Sequence, residues 1–295
     1  DFEKVTQIFQ DLEFRRSLEN LNRIFARSNN TDAQDKTESK DVKEAETTGS
    51  GQQLDIFSAG NNDGQDDFST YKKADKTDHF YQYVETEYAQ NLLLSKLLKQ
   101  SSVCFDTETT SLNTLEAKLV GISFSFDKGK GYYVPIPAEE ESAQKVLSIF
   151  KPFFQAEQIE KIGQNLKYDL KVLANYGVQI KGKLFDTMIA HYLLNPDMRH
   201  NMEVLSETYL KYTPIPIESL IGKKGKNQGS MRDVELEKIT EYAVEDADIT
   251  WQLKQIFEKE LEKNKLGNLF SNIEIPLLSV LASMEREGIR LDQEF

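Results

Sequence analysis

The run SVCFDTE, residues 102–108, joins an apolar segment directly to two carboxylates. Ser102–Asp106 is typical of a buried strand, and residues two positions apart on a strand project from the same face. Asp106 and Glu108 are therefore predicted to lie side by side where this strand ends. Paired carboxylates in that arrangement suit a divalent cation, which prefers oxygen ligands.

The spacing of these two carboxylates is a weak signal when it stands alone. The same D-x-E pattern recurs elsewhere in the chain: Asp1/Glu3, Asp11/Glu13, Asp233/Glu235 and Asp292/Glu294. The pair at 106 and 108 differs from these because it directly follows an apolar strand. That context makes it the best candidate for a pair of metal ligands.

The segments around this strand predict an α/β fold, with a mixed sheet flanked by helices. A short strand is predicted at Tyr81–Val84 and a helix at Asn91–Leu98. Leu119–Phe126 and Tyr132–Ile136 have the pattern of a hairpin with a turn-rich connection. The predicted later helices are Ser142–Phe154, Leu166–Tyr176, Asp186–Leu194, Met202–Tyr209 and a long one from Asp233 to about Glu262.

Two of these helices carry an aspartate on the face that is predicted to point into the core. Asp169 shares one face with Leu166 and Leu173, and Asp246 is the one charged member of the inward stripe of the long helix. An unpaired buried carboxylate costs several kcal/mol, so each aspartate needs an explanation. Asp248 falls on nearly the opposite side of the long helix, so we expect no such conflict there.

Helix capping, buried salt bridges and a metal site are the three explanations for these aspartates. Capping is excluded, because Asp169 and Asp246 lie inside their predicted helices. No lysine or arginine partner is obvious on the inward faces. The residues alone leave a buried salt bridge and a metal site as open alternatives.

Three longer motifs resemble the exonuclease motifs of family A DNA polymerases and occur in the order typical of that family. They are FDTET at 105–109, GQNLKYD at 163–169 and YAVEDAD at 242–248. The resemblance extends over about Tyr81 to Asp292. It implies a ribonuclease-H-like fold and a 3′→5′ exonuclease that trims single-stranded or frayed DNA ends during proofreading, replication and repair.

The resemblance also implies a role for each motif residue. Asp106, Glu108 and Asp246 would hold one divalent cation, and Asp106 with a water-linked Asp169 would hold a second. The ions would be Mg²⁺ or Mn²⁺, with Zn²⁺ as an alternative at one site, and Tyr242 would orient the attacking water. The positions that match substrate contacts are Thr107, Leu112, Gln164, Asn165, Tyr168 and Arg199.

Several of these residues also have a simpler structural interpretation. Leu112 could be a core residue, and the basic loop at 223–226 could follow the DNA backbone or be an ordinary solvated loop. His191 and His200 are predicted to be structural. Cys104 lies in the apolar strand and is predicted to be buried and unreactive.

The composition places limits on partners and location. A net charge of -13 opposes nucleic-acid binding, although part of it lies in a predicted linker and bound cations would reverse the field locally. With one cysteine and no apolar run of the ~20 residues that a membrane span needs, we expect an intracellular protein without membrane contact. The resemblance implies a monomeric, cytoplasmic, nucleoid-associated bacterial protein.

The chain is predicted to comprise four regions. Residues 1–27 would form the helical end of a preceding 5′-nuclease-like region, and 28–79 a disordered acidic and polar linker. Residues 80–264 would form the exonuclease domain, and 265–295 a truncated start of the polymerase region. We therefore expect a fragment of a longer chain, with its own polymerase domain as partner and no polymerase activity in the fragment.

Two other functions compete with this interpretation. An RNase D-like exoribonuclease would carry the same four acids, but residues 275–289 resemble the entry to a family A polymerase region. An inert module that binds DNA ends would be expected to lack one or more of the acids, and all four are present.

Overall fold

A six-stranded mixed sheet organises the computed structural model, which describes Lys72, residues 77–225 and residues 227–291. The strands are β1 Phe80–Tyr83, β2 Ser102–Thr109, β3 Leu119–Asp127, β4 Lys130–Pro135, β5 Glu160–Gly163 and β6 Leu184–Asp186. Their order is β1-β4-β3-β2-β5-β6. The β2–β3 and β3–β4 pairs are antiparallel, and the outer pairs are parallel.

Helices cover both faces of this sheet. The longer ones are α1 Glu87–Leu97, α2 Glu140–Gln155, α3 Leu166–Asn175, α4 Thr187–Leu194, α7 Leu236–Lys263 and α9 Ile275–Glu287. The shorter ones are α5 Met202–Leu205, α6 Glu218–Ile221 and α8 Gly267–Leu269. The predicted α/β class with a mixed sheet and flanking helices is confirmed. The predicted helix at 1–27 lies outside the described residues, as does nearly all of the predicted linker at 28–79.

The two faces of the sheet have different cores. On one face, α1, α2 and α3 pack against an aromatic cluster in which Phe105 contacts Phe154, and Phe124 contacts Phe150 and Phe153. On the other face, α7 packs across the strands through a more aliphatic set of side chains. β2 lies between these two cores, which is why its central residues are almost fully buried.

Small residues beneath α7 let this helix approach the sheet closely. A Cβ atom at Gly131 of β4 would lie 2.4 Å from Val244 Cγ1, so no side chain larger than hydrogen fits there without movement. Ser123 and Ser125 of β3 lie on the same face and are fully buried. The close approach brings Asp246, two residues beyond Val244, towards the end of β2.

The C-terminal helix α9 supports α3 from outside the sheet. Glu285 of α9 pairs with Lys167 at 2.6 Å and with Lys171 at 2.5 Å, both on α3. The two lysines hold the pKa of Glu285 at about 2, well below its usual range. α3 carries Asp169 on a different face, so α9 braces this helix without entering the predicted site.

Two strands were not predicted from the sequence. β5 has the sequence EKIG and β6 has LFD, and neither shows the alternating or continuous apolar pattern of a longer strand. Lys161 of β5 is nevertheless fully buried, and its ammonium group donates to the carbonyl of Lys181 at 2.7 Å. That local bond lets a charged residue occupy an interior strand position.

No single helix in the described part of the chain is both long and apolar enough to cross a bilayer. Residues 236–263 and 267–287, which meet at 115°, satisfy the length and composition limits only when taken together.

The contact between Gly131 and Val244 predicts a sharp cost for a small substitution. Gly131→Ala should destabilise the fold by about 1–3 kcal/mol, because the added methyl group overpacks the interface beneath α7. Gly267→Ala is the matched control, since that position opens onto empty space and should change stability by less than about 0.5 kcal/mol. Urea denaturation measures both. Equal losses in the two variants would contradict the close packing of α7.

Candidate active site

The site begins where β2 extends past its parallel neighbour. β5 pairs only with Ser102, Val103 and Cys104, so the rest of β2 has no strand on that side. Asp106 and Glu108 lie on this extension. The unpaired edge leaves room for side chains from α7 on one face of the sheet and from α3 on the other.

Three carboxylates meet at this position. Asp106, Glu108 and Asp246 each place one oxygen atom within 4.8 Å of the others. Glu108 is buried, and the two aspartates are partly buried. In the described part of the chain none of the three forms an ion pair with a lysine, arginine or histidine, so buried salt bridges do not explain the inward position of Asp246.

Burial raises the pKa of every carboxyl group in the cluster, and repulsion by neighbouring acids raises the pKa of Glu108 and Asp246 further. Burial raises the pKa of Asp106 to about 7. For Glu108 the pKa is raised by burial and then by the charges of Asp106 and Asp246, and for Asp246 by burial and then by Asp106. Oxygen donors that repel one another in this way fit a divalent cation, which removes the repulsion when it binds.

The fourth predicted acid, Asp169, approaches from α3. It is buried and accepts a hydrogen bond from the Thr107 hydroxyl at 2.5 Å. Burial raises its pKa, and the charge of Asp106 raises it further, so the two carboxyl groups are near one another. Asp169 is not among the three mutually close acids. Thr107, predicted as a substrate contact, uses its hydroxyl to orient Asp169.

Tyr242 lies one helical turn before Asp246 on α7. Its hydroxyl lies near the Asp246 carboxylate and opposes the rise in the pKa of that acid. Burial, followed by the charge of Asp246, raises the pKa of Tyr242 well above its ordinary value. The phenol therefore keeps its proton beside the acid cluster.

Asp186 positions the start of α3, a role that sequence reasoning missed. Its carboxylate caps α4 by accepting from the Met188 amide at 2.9 Å, and it also accepts from the Leu166 amide at 2.8 Å. Asn165, just before α3, adopts a left-handed conformation with φ of 62°. An aspartate at the start of a predicted helix signals a cap, but nothing in the sequence shows that one carboxylate holds two helices.

The predicted substrate-contact residues fall into two groups. Gln164 and Tyr168 are held by the protein: the Gln164 amide donates to the carbonyl of His200 at 2.7 Å, and the Tyr168 hydroxyl to that of Ser111 at 2.6 Å. The exposed members are Leu112, Asn165 and Arg199. Because Leu112 is 83% exposed, the interpretation of this residue as part of the core is wrong.

The prediction for Asp248 was also wrong. This residue is 4% exposed and accepts hydrogen bonds from the Tyr81 hydroxyl at 2.8 Å and from the Gly129 amide at 3.0 Å. Helical spacing placed it opposite Asp246, but β1 and the β3–β4 turn cover that side of α7 as well. Glu245 is satisfied in the same way, by Tyr212 at 2.5 Å and the Ile215 amide at 2.6 Å.

The histidines and the cysteine contribute to packing. His191 Nδ1 lies 2.7 Å from His200 Nδ1, and His191 Nε2 lies 3.0 Å from the Tyr209 hydroxyl. Neither histidine contacts the acid cluster, in agreement with the structural role predicted for both. Cys104 is fully buried, as predicted.

A mixed sheet flanked by helices, with clustered acids at the end of a central strand, is the arrangement of a ribonuclease-H-like fold. A family profile described as 3′-5′ exonuclease matches residues 81–262. The chain therefore belongs to this 3′-5′ exonuclease family, and the resemblance to family A DNA polymerases is confirmed. DNA polymerase I of Borreliella burgdorferi is 35% identical over 263 residues, which cover 88% of this chain and 28% of that protein.

Solved nucleases share the fold at lower identity. Brucella melitensis NrnC with bound Mg²⁺ is 20% identical with a TM-score of 0.55, covering 72% of this chain and 95% of that one. Escherichia coli RNase D, an exoribonuclease, is 20% identical with a TM-score of 0.56, covering 69% and 51% respectively. These structures confirm the ribonuclease-H-like architecture.

The raised pKa values predict that the metal-free protein loses stability as the pH rises. A carboxyl group with a higher pKa in the folded state stabilises the fold while protonated, and this contribution is lost as the pH rises through its folded pKa. For Asp106 that value is about 7. The unfolding temperature in EDTA should therefore fall as the pH rises from about 4 towards about 7, and excess Mn²⁺ should restore it at the upper end.

The other shifted groups act with the opposite sign or at a different pH. Burial lowers the pKa of His191 to about 4, so this residue favours the fold as the pH rises from about 4 to about 6.5 and opposes the fall, and the pKa of Lys161, lowered by burial to about 8, acts above that pH. Asp246→Asn removes one charge from the cluster and should reduce both the fall and the rescue by Mn²⁺. A variant that responds to pH and Mn²⁺ like the wild type would refute this account of the cluster.

Proposed function

We propose that the protein hydrolyses the terminal phosphodiester at the 3′ end of DNA with two divalent cations. The observation that carries this proposal is the convergence of Asp106, Glu108 and Asp246 within 4.8 Å, with Asp169 on the opposite side of the same strand. Clustered buried acids without cationic partners are otherwise hard to reconcile with a stable fold.

The positions of the acids support the division of labour that the family resemblance implies. Asp106, Glu108 and Asp246 would hold one ion, and Asp106 would share the second with Asp169 through a water molecule. Two bound ions supply an activated water and a stabilised leaving oxygen. Mg²⁺ or Mn²⁺ suits an all-carboxylate donor set, and the Mg²⁺ bound to Brucella NrnC supports this choice.

The protein's own groups position the reactants. Tyr242 keeps its proton and would orient the attacking water beside Asp246. Thr107 holds Asp169, and Asp186 fixes the helix that carries it. Exposed Leu112 would pack against the terminal base, while Asn165 and Arg199 would contact the terminal nucleotide and its phosphate.

The role in the longer protein is proofreading. The similar protein from Borreliella is a DNA polymerase, and this chain spans 28% of its length. A mispaired primer end that frays from the template would enter this site and be trimmed before synthesis resumes. Residues 265–295 would then connect the site to a polymerase domain.

The acid cluster predicts a large effect of one isosteric substitution. Asp106→Asn should slow the trimming of 5′-labelled single-stranded DNA in Mg²⁺ by more than about a hundredfold, because a lost metal ligand removes several kcal/mol of transition-state stabilisation. Asp127→Asn is the matched control, since this exposed carboxylate pairs with Lys130 on the surface. Gel electrophoresis of the products measures the rate.

Three outcomes of that experiment have distinct meanings. Wild-type activity in folded Asp106→Asn would show that the acid cluster is not the active site. A wild-type protein that binds the oligonucleotide without trimming it would favour an inert DNA-end-binding module. Loss of activity in Asp127→Asn as well would mean that the assay reports stability and not chemistry.

Substrate choice is tested separately, because RNase D shares this fold. We expect a higher kcat/KM on DNA than on RNA of matched sequence and length, measured with the same metal and protein preparation. A strong preference for RNA would replace the proofreading role with RNA processing. It would leave the assignment of the acids unchanged.

A further inference from the structure

Tyr133 of β4 leans across Gly121 of β3 on the face of the sheet that carries the acids. A Cβ atom built at Gly121 would lie 2.1 Å from the Tyr133 hydroxyl oxygen and from its Cζ atom. The end of the tyrosine ring therefore occupies the space in which a side chain at residue 121 would begin. Any side chain at residue 121 would therefore have to displace the Tyr133 phenol.

Gly121 is the direct cross-strand partner of Glu108. Cβ atoms of such partners in antiparallel strands lie about 4.5–5.5 Å apart. The Tyr133 hydroxyl lies 2.1 Å from the position of the Gly121 Cβ, so it faces the Glu108 side chain at roughly 4–7 Å from the Glu108 Cβ. A glutamate carboxylate extends far enough from its Cβ to meet a hydroxyl at this distance.

The electrostatic environment of Tyr133 agrees with this geometry. Burial raises the pKa of Tyr133 first, and the charge of Glu108 raises it further, while Arg232 lowers it. The phenol therefore stays protonated and can act only as a donor towards a carboxylate. Tyr133 is 1% exposed, so water does not compete freely for its proton.

The hydroxyl has no partner in the described part of the chain, where no hydrogen bond joins it to another residue. On the same face, Ser123 pairs with both Asp106 and Tyr133 across the sheet, and its buried hydroxyl has no hydrogen-bond partner among the described residues. Phenylalanine would fill the space over Gly121 as well as tyrosine does, so packing alone does not require the Tyr133 hydroxyl. We therefore expect this hydroxyl to act in another state of the site.

We propose that Tyr133 is a positioning residue, whose hydroxyl donates to the Glu108 carboxylate when that carboxylate binds a divalent cation. The inference rests on the metal-dependent function proposed above. Partners that hydrogen-bond to a metal-ligating carboxylate fix its orientation, and their loss typically weakens metal binding by about 10- to 100-fold. Gly121 has no side chain, so it would leave the space in which the Tyr133 hydroxyl approaches Glu108.

The test compares Tyr133→Phe with Tyr132→Phe. The first variant keeps the ring over Gly121 and removes only the hydroxyl. The second removes a hydroxyl from the adjacent residue of β4, on the opposite face, where it accepts a hydrogen bond from Lys96 at 3.1 Å. Mn²⁺ affinity is measured on the free protein by electron paramagnetic resonance, with kcat, KM for DNA and the unfolding temperature in EDTA determined alongside.

We expect Tyr133→Phe to weaken Mn²⁺ binding about tenfold and to lower kcat, with KM for DNA and the unfolding temperature in EDTA unchanged. Tyr132→Phe should match the wild type in Mn²⁺ affinity and kcat. Unchanged Mn²⁺ affinity in Tyr133→Phe would overturn the inference, as would equal weakening in both variants.

The same measurements separate this inference from the proposed function. If the wild type binds Mn²⁺ and trims DNA while Tyr133→Phe behaves identically, the role of Tyr133 is refuted and the acid cluster stands. If the wild type binds no Mn²⁺ at the cluster, shown by equal behaviour of Asp106→Asn, both fail together.

Discussion

The repulsion among carboxylates buried at the end of β2 is the constraint on which the rest of the structure depends. Asp106, Glu108 and Asp246 lie within 4.8 Å of one another, and burial raises the pKa of each. Desolvation and like charge both oppose this arrangement, so the surrounding packing must hold it. A bound cation would turn the same repulsion into affinity, which links the stability of the fold to metal binding.

Two features of the sheet supply that packing. β2 is central and extends past β5, so its acids stand at an unpaired edge between two cores. On one face, α7 comes close because Gly131 leaves room for Val244, and this brings Asp246 to the cluster. On the other face, Asp186 and α9 hold α3, which carries Asp169. The site is thus assembled by elements that approach one strand from both sides.

The acids of α7 show why hydrogen bonding, not burial alone, marks a functional carboxylate. Glu245, Asp246 and Asp248 all have a pKa raised mainly by burial. Backbone amides and tyrosine hydroxyls satisfy Glu245 and Asp248 fully, so these two acids join α7 to its neighbours. Asp246 instead faces two other acids and one tyrosine. Because none of these groups carries a positive charge, Asp246 is suited to bind a cation.

Periodicity is a local property of the chain, so the sequence alone could predict three things. They are the α/β class, the apolar strand before Asp106 and Glu108, and the inward position of Asp169 and Asp246 on their helices. Short strands such as β5 and β6 carry too few residues for a pattern. The burial of Asp248 and the second role of Asp186 could not be inferred, since both depend on segments distant in the chain. Only the tertiary structure decided which acids lie close together and which have hydrogen-bond donors. Repulsion and hydrogen bonding depend on distances between residues that are far apart in the sequence, and a local sequence pattern does not determine those distances.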